Sequence, residues 1–442
     1  MRHKTLIAAA VALTLSAQEP APPGPPSAPV AAGGQPIALD LAGAIERARK
    51  YSQQYLQAYI AAGLAREDRV QAKAALFPTL NLLNQYIYTQ PNGTPSGVFV
   101  ANDGVHVYSE QAMVHAELFS LAKRAEYQRT LAAESAARAR QEIAARGLIA
   151  TVVQNYYALV AAERHETNAG SSLKEARVFF DITSKQERGG EVARADVIKA
   201  ELQLQQRERD LAEAQTAVLK ARIALAVMLF PDPAQPYAIT DDLSPGPTLA
   251  PLAELGALAT GNSPDIRAAE AGLRQSDAAI RVARGAYYPS LVIDYFYGIN
   301  ANVFDVRGPE GRQNLGSAVQ GSIAVPIWNW GATRSKVRQA QLQKQQAAYD
   351  LTFAQRGLQS ALATLYLEAQ AAKSQLESLR SSLDLAAESL RLTVLRYQAG
   401  EATALEVADA QSTLAQARNA RDDGLARYRV ALAGLQTLTG RF

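Results

Sequence analysis

Residues 285–300 read GAYYPSLVIDYFYGIN. After Pro289, Leu291, Ile293, Tyr295, Tyr297 and Ile299 fall on one face of an extended chain. Ser290, Asp294, Gly298 and Asn300 fall on the other, interrupted by Val292 and Phe296. A period of two means a strand with two unlike faces. Before Pro289 the chain is alanine-rich and helical in character, so the stretch is a helix-to-strand joint. It has a counterpart: AALFPTLNL (74–82) aligns Pro78 with Pro289, 211 residues apart.

The alignment extends outward at an offset of 210. Tyr156 matches Tyr366, Gly190 matches Gly400, Val197 matches Val407, Leu204 matches Leu414 and Leu225 matches Leu435. The chain is therefore a duplication. Its 20 prolines avoid Ser96–Phe230 and Ile327–Phe442. Proline costs about 3 kcal/mol inside a helix, so these regions admit long helices. Ser120–Gln186 and Gly331–Gln398 are rich in Ala, Glu, Gln, Arg and Leu; each spans about 67 residues, or about 100 Å of helix. Leu425, Tyr428, Leu432 and Leu435 carry the three- and four-residue spacing of a packed seam. In each half a helix (Asp40–Ala75 in the first) leads to two strands, the long helix, a glycine turn and a shorter helix. The two shorter helices together roughly equal the long one, and can lie beside it end to end.

The expected organisation is a signal peptide over 1–17, a Pro/Ala/Gly-rich linker over 18–39, a first repeat over 40–230, a proline-rich connection over 231–252 and a second repeat over 253–442. Arg2, His3 and Lys4 before the uncharged run Leu6–Leu15 have the layout of an export signal, too short to span a bilayer. The sequence Asn92-Gly93-Thr94 matches a glycosylation acceptor but reads as a loop turn. The four strands are expected at 79–90, 105–119, 290–301 and 315–328. In the first, Leu80, Leu82, Tyr86 and Tyr88 oppose Thr79, Asn81, Gln85 and Thr89; in the fourth, Val319, Ile323, Val325 and Ile327 oppose Gln320 and Ser322. Such alternation suits a transmembrane barrel with a wet lumen. Phe77, Phe119, Tyr287, Tyr288, Trp328 and Trp330 cluster at the strand–helix joints, where an interfacial girdle would lie if the helices emerge from one side of a membrane. Four strands cannot close a barrel, since about eight is the minimum, and lipid tolerates no open sheet edge. A trimer supplies twelve.

Composition narrows the function. The 442 residues carry 45 Lys+Arg against 42 Asp+Glu, a formal net charge of +3, no cysteine and four histidines; mean hydropathy is -0.12. The balance excludes nucleic-acid binding driven by bulk charge. A cysteine-free chain has no thiolate zinc site, thiol nucleophile or N-terminal lipidated cysteine. HExxH, GxSxG, phosphate-loop and histidine-cluster motifs are absent, so no enzyme activity, metal or cofactor is expected.

The duplicated plan, the two helix-to-strand joints and the turn RYQAGEATALEVADAQ (396–411) together resemble the TolC-like outer-membrane efflux channels of double-membraned bacteria. The resemblance covers nearly all of the chain after the signal and linker. It implies a mixed α/β membrane protein: a homotrimer with a twelve-stranded barrel, four strands per chain, and a long coiled-coil tunnel across the periplasm. The tunnel would dock on a periplasmic adaptor and an inner-membrane transporter, as the exit duct of an efflux or secretion system. It also implies that Tyr397, Gly400, Glu406 and Asp409 narrow the tunnel and that Asp196 pairs with the tyrosine. Gly190 and Gly400 would be the docking tips. Six carboxylates from Glu406 and Asp409 would ring the pore, with some pKa values raised by repulsion. The family's arginine two residues after the glycine is Ala402 here, for which Arg194 is a candidate substitute. On the residues alone, Glu406 and Asp409 also suit a solvated helix face, and the whole chain a structural periplasmic coiled coil.

Overall fold

The computed structural model describes residues 37–91, 93, 105–244, 246–308, 311 and 313–442. The signal segment, most of the first linker, the glycosylation-like triplet except Gly93, and most of loop 90–104 lie outside them. In chain order the elements are β1 (Ile37–Leu39), α1 (Leu41–Tyr51), α2 (Gln53–Ala74), β2 (Thr79–Tyr88), β3 (His106–Phe119), α3 (Leu121–Arg188) and α4 (Arg194–Leu229), then β4 (Tyr237–Ile239), α5 (Leu252–Asn262), α6 (Pro264–Gly285), β5 (Ser290–Ala301), β6 (Leu315–Ala324), α7 (Ala332–Gln398) and α8 (Ala404–Thr439). No helix among the described residues is long and apolar enough to cross a membrane.

The long helices have the expected length, 68 residues in α3 and 67 in α7. Ser120 starts α3 by accepting from the Lys123 amide at 3.3 Å. Helices α2 and α4 both lie along α3, and α6 and α8 along α7, with α3 also against α6 and α8. The seam residues Leu425, Tyr428, Leu432 and Leu435 are buried.

The leading helix is not continuous over Asp40–Ala75. It breaks at Ser52, whose hydroxyl accepts from the Tyr55 amide at 3.5 Å and caps α2. The second repeat breaks at the matching Ser263, capping Ile266 at 3.3 Å ahead of Pro264. Serine competes for backbone donors and so favours caps over helix interiors.

The two linkers are also partly structured. Strand β1 pairs in parallel with β4, Ile37 opposite Tyr237 and Leu39 opposite Ile239. This small sheet covers the largest core cluster, where Val152, Tyr156, Leu159, Leu225 and Leu229 are fully buried. The Tyr156 hydroxyl donates to the Thr240 carbonyl at 2.6 Å. Arg429 donates to the Tyr157 hydroxyl at 2.9 Å and to Asp242 at 3.1 Å. Burying two phenols demands partners for their hydroxyls, and the connection between repeats supplies one to each: the Thr240 carbonyl to Tyr156 and Asp242, at 3.3 Å, to Tyr157.

The remaining strands form one antiparallel sheet in the order β2-β3-β5-β6. Across its middle, His115 meets Asp294 at 2.6 Å. Leu80, Leu82, Val319 and Ile323 are 69–77% exposed, so the apolar face has no covering layer among the described residues. β2 and β6 end the sheet, and their outer edges are unpaired among the described residues. Two strands are shorter than expected: β2 stops at Tyr88 and β6 at Ala324, not 328. Ala324 faces Ser290, the first residue of β5, so the chain beyond it has no partner strand among the described residues, and Pro326 has no N–H to give.

Candidate functional site at the helix tips

Both long helices end in the same hydrogen-bonded turn. After α3, the Glu191 amide donates to the Gln186 carbonyl at 2.8 Å and Gly190 to Glu187 at 2.9 Å. After α7, Glu401 donates to Arg396 at 2.8 Å and Gly400 to Tyr397 at 3.0 Å. This double bond requires a left-handed residue at the glycine, and φ is 77° at Gly190 and 78° at Gly400. Both turns therefore reverse the chain where the repeat placed them.

The second turn is capped more fully. The Glu406 amide donates to Thr403 Oγ1 at 3.3 Å, while Glu406 Oε1 accepts from the Thr403 amide and hydroxyl, each at 3.1 Å. This is a capping box. In the first turn Ala193 occupies the place of Thr403 and makes no side-chain cap bond. The box is readable as Thr-x-x-Glu in the sequence, a signal distinct from both the tunnel-acid and the solvated-face readings of Glu406. Its carboxyl titrates below the usual range, because the Thr403 backbone and hydroxyl bond the charged form and Arg396 adds its charge from 3.6 Å.

Asp409 lies one turn further along α8. It is exposed, and its carboxylate has no hydrogen bond or ion pair among the described residues. Asp196 stands at the repeat position of Glu406 and meets Lys199 at 3.5 Å.

Tyr397 is only 3% exposed. Its ring meets Phe179 edge-on at 5.1 Å, within a cluster that includes Leu390, Val407 and Leu414. Its hydroxyl donates to Thr183 Oγ1 at 3.2 Å, and Thr183 donates to the Phe179 carbonyl at 2.9 Å. The expected Tyr397–Asp196 pairing is thus replaced within the chain by Tyr397–Thr183. Burial raises the phenol above its ordinary pKa, and the charge of Asp196 adds to that. Thr183 and Phe179 escaped sequence reading because nothing local marks a buried threonine in a 68-residue helix. Ala402 packs on the edge of the same cluster, as does its repeat mate Val192. Arg194 lies 3.9 Å from Glu187 in its own turn.

At the opposite end, the joint aromatics Phe77, Phe119, Tyr287, Tyr288, Trp328 and Trp330 are all exposed, Trp330 by 89%. Trp328 and Trp330 meet edge to face at 5.8 Å. About 100 Å of helix separates them from the glycine turns.

A four-stranded sheet at one end of a duplicated helical bundle, with matched reversals at the other, defines a subunit of a barrel-and-tunnel assembly. The family profile described as outer membrane efflux protein matches residues 44–229 and 255–441, and the chain belongs to that family. The pyoverdine export outer membrane protein OpmQ of Pseudomonas aeruginosa is 30% identical over 429 residues, 92% of this chain and 84% of OpmQ. Protein CyaE of Bordetella pertussis is 28% identical over 281 residues, 61% of this chain. That match spans 57% of CyaE. The crystal structure of the Campylobacter jejuni CmeC outer membrane channel superposes with a TM-score of 0.79 at 18% identity, over 91% of this chain and 85% of CmeC; at that identity the likeness is one of fold.

Proposed function

We propose that three copies of this chain assemble in a bacterial outer membrane into a passive exit duct. The sheets close into a twelve-stranded barrel, and the helices form a tunnel through the periplasm. The tunnel receives cargo from a periplasmic adaptor and an inner-membrane transporter docked at the Gly190 and Gly400 turns. The carrying observation is the sheet itself: two unpaired edges and a bare apolar face are untenable in water and in lipid alike unless further copies complete them. A structural coiled coil leaves that sheet without a purpose.

In this reading the joint aromatics sit at the periplasmic membrane interface. Tyr397 holds each tip rigid behind the aperture, with Glu406 capping α8. Asp409, carrying an unpaired carboxylate, gives the narrow end a threefold acidic ring. Asp196 supplies a second acid from the first-repeat turn. Membrane extraction followed by native mass measurement in detergent tests the assembly, and a trimer is expected. A monomer, or a protein that leaves the membrane without detergent, refutes it.

A further inference from the structure

The internal duplication specifies how one copy's sheet meets the next, an inference that rests on the trimer proposed above. Thr79 and Ser290 are equivalent residues, each following the proline of a helix-to-strand joint. Thr79 is opposite His115 in the first hairpin, and Ser290 is opposite Ala324 in the second. His115 of β3 and Ala324 of β6 are therefore equivalent positions of the two hairpins.

On its other edge β3 is already paired with β5. His115 faces Asp294, Ala116 faces Ile293, Glu117 faces Val292 and, after a bulge, Phe119 faces Leu291. The corresponding edge of β6 is bare, and the strand equivalent to β5 is β2, 211 residues earlier. Substituting equivalent for equivalent places Ala324 opposite the partner's Leu83, and Val325 opposite the partner's Leu82. Pro326 then faces the partner's Asn81, and Trp328 the partner's Leu80.

Side-chain character independently supports the parity of this register. Val319, Gly321 and Val325 fall opposite the partner's Tyr88, Tyr86 and Leu82, so the apolar faces meet, with Ile323 opposite the partner's Asn84 as the one polar exception. A one-residue slip turns each of them to the wet side. The small–aromatic pair Ala112–Tyr297 inside the chain becomes Gly321 against the partner's Tyr86. The aromatic–leucine pair Phe119–Leu291 becomes Trp328 against the partner's Leu80.

The register also accounts for three oddities. Pro326 falls at the position of Glu117, beside the bulge in β3, and bulges are where strands accept proline. Val325, Ile327 and Trp328 are 61%, 90% and 75% exposed because their partner strand belongs to another copy. Finally, the chain has two more residues between Trp328 and Ala332 than between Phe119 and Leu121. They are taken up at Trp330 and Gly331, which have consecutive left-handed φ values of 53° and 81°.

We propose that Val325–Trp328 is a continuation of β6 that pairs antiparallel with β2 of a second copy, in the register that β3 and β5 use within one chain. The cysteine-free sequence allows a clean test. Double variants Ala324→Cys with Leu83→Cys, and Val325→Cys with Leu82→Cys, represent the proposed register. Ala324→Cys with Gln85→Cys, and Val325→Cys with Asn84→Cys, represent a two-residue slip that preserves the faces. Each detergent-solubilised protein is sized, oxidised and run in SDS. Facing residues have Cβ atoms about 4.5–5.5 Å apart and diagonal ones about 7–8 Å, and a disulfide needs about 3.5–4.5 Å. At least one proposed pair is expected to yield SDS-resistant covalent trimer, about tenfold more than either slip pair. An intact trimer that links through the slip pairs, or through none of the four, overturns the register and leaves the trimer standing. A monomer at the sizing step overturns both. If substitutions near the rim impair assembly, Gly321→Cys with Tyr86→Cys against Ile323→Cys with Tyr86→Cys decides the same question at mid-strand.

Discussion

Tyr397 separates two roles that a sequence motif alone merges. A latch across a closed aperture works through its hydroxyl, so Tyr397→Phe and Tyr397→Ala should open it alike. The structure instead puts the ring inside the tip core, 3% exposed, against Phe179, Leu390, Val407 and Leu414. Deleting a buried aromatic ring costs about 3–5 kcal/mol. Deleting only the hydrogen bond to Thr183 costs about 1 kcal/mol. With tenfold per 1.4 kcal/mol, Tyr397→Phe should speed amide exchange in the last turns of α3 and first turns of α8 by about fivefold. Tyr397→Ala should speed it by more than about a hundredfold. Exchange around Tyr156 and Leu225 should be unchanged in both, since local opening reports local packing. Hydrogen-exchange mass spectrometry on the detergent-solubilised protein reads all three regions at once. Equal acceleration by the two substitutions would refute the packing argument.

Asp409→Asn should raise the concentration of a trivalent cation that half-blocks the pore by about tenfold, about 1.4 kcal/mol. Glu406→Gln should shift it by less than about threefold, since glutamine also serves a capping box; planar-bilayer recordings showing equal effects would place both carboxylates in the ring. His165, 3.1 Å from Asp423, has a pKa raised above 6.5 by that carboxylate, against the opposing effect of burial. Its contribution is therefore fully present below about pH 6.5 and fades as pH rises through the raised value. Thermal stability should fall across that window in the natural protein and more weakly in His165→Gln; identical slopes would rule the pair out. A methyl group added at Gly285 would lie 2.7 Å from the Ala122 backbone, whereas one at Gly272 meets nothing within 4 Å. Gly285→Ala should lose about 1–3 kcal/mol and Gly272→Ala gain about 0.5–1 kcal/mol in denaturant unfolding, and the reverse order would contradict the close approach of α6 and α3.

The sequence by itself determined the elements that depend on local rules. Proline-free alanine-rich stretches made α3 and α7, period-two alternation made four strands, and Gly190 and Gly400 marked the two left-handed stops. The 210-residue offset tied these into one repeated plan, and the glycine and proline punctuation made the plan recognisable. Tertiary structure alone decided which groups meet. Tyr397 bonds Thr183 because α8, packed on both α3 and α7, carries the phenol into the core against Phe179, where the Thr183 hydroxyl lies 3.2 Å away. Glu406 became a cap while Asp409 stayed free, a distinction set by where the first turn of α8 begins. β1 and β4 were invisible because three-residue strands in proline-rich chain have no periodicity to detect; they form where the Tyr156 core needs cover. The end of β6 was set by the start of β5, since a strand persists only while its backbone donors and acceptors find partners.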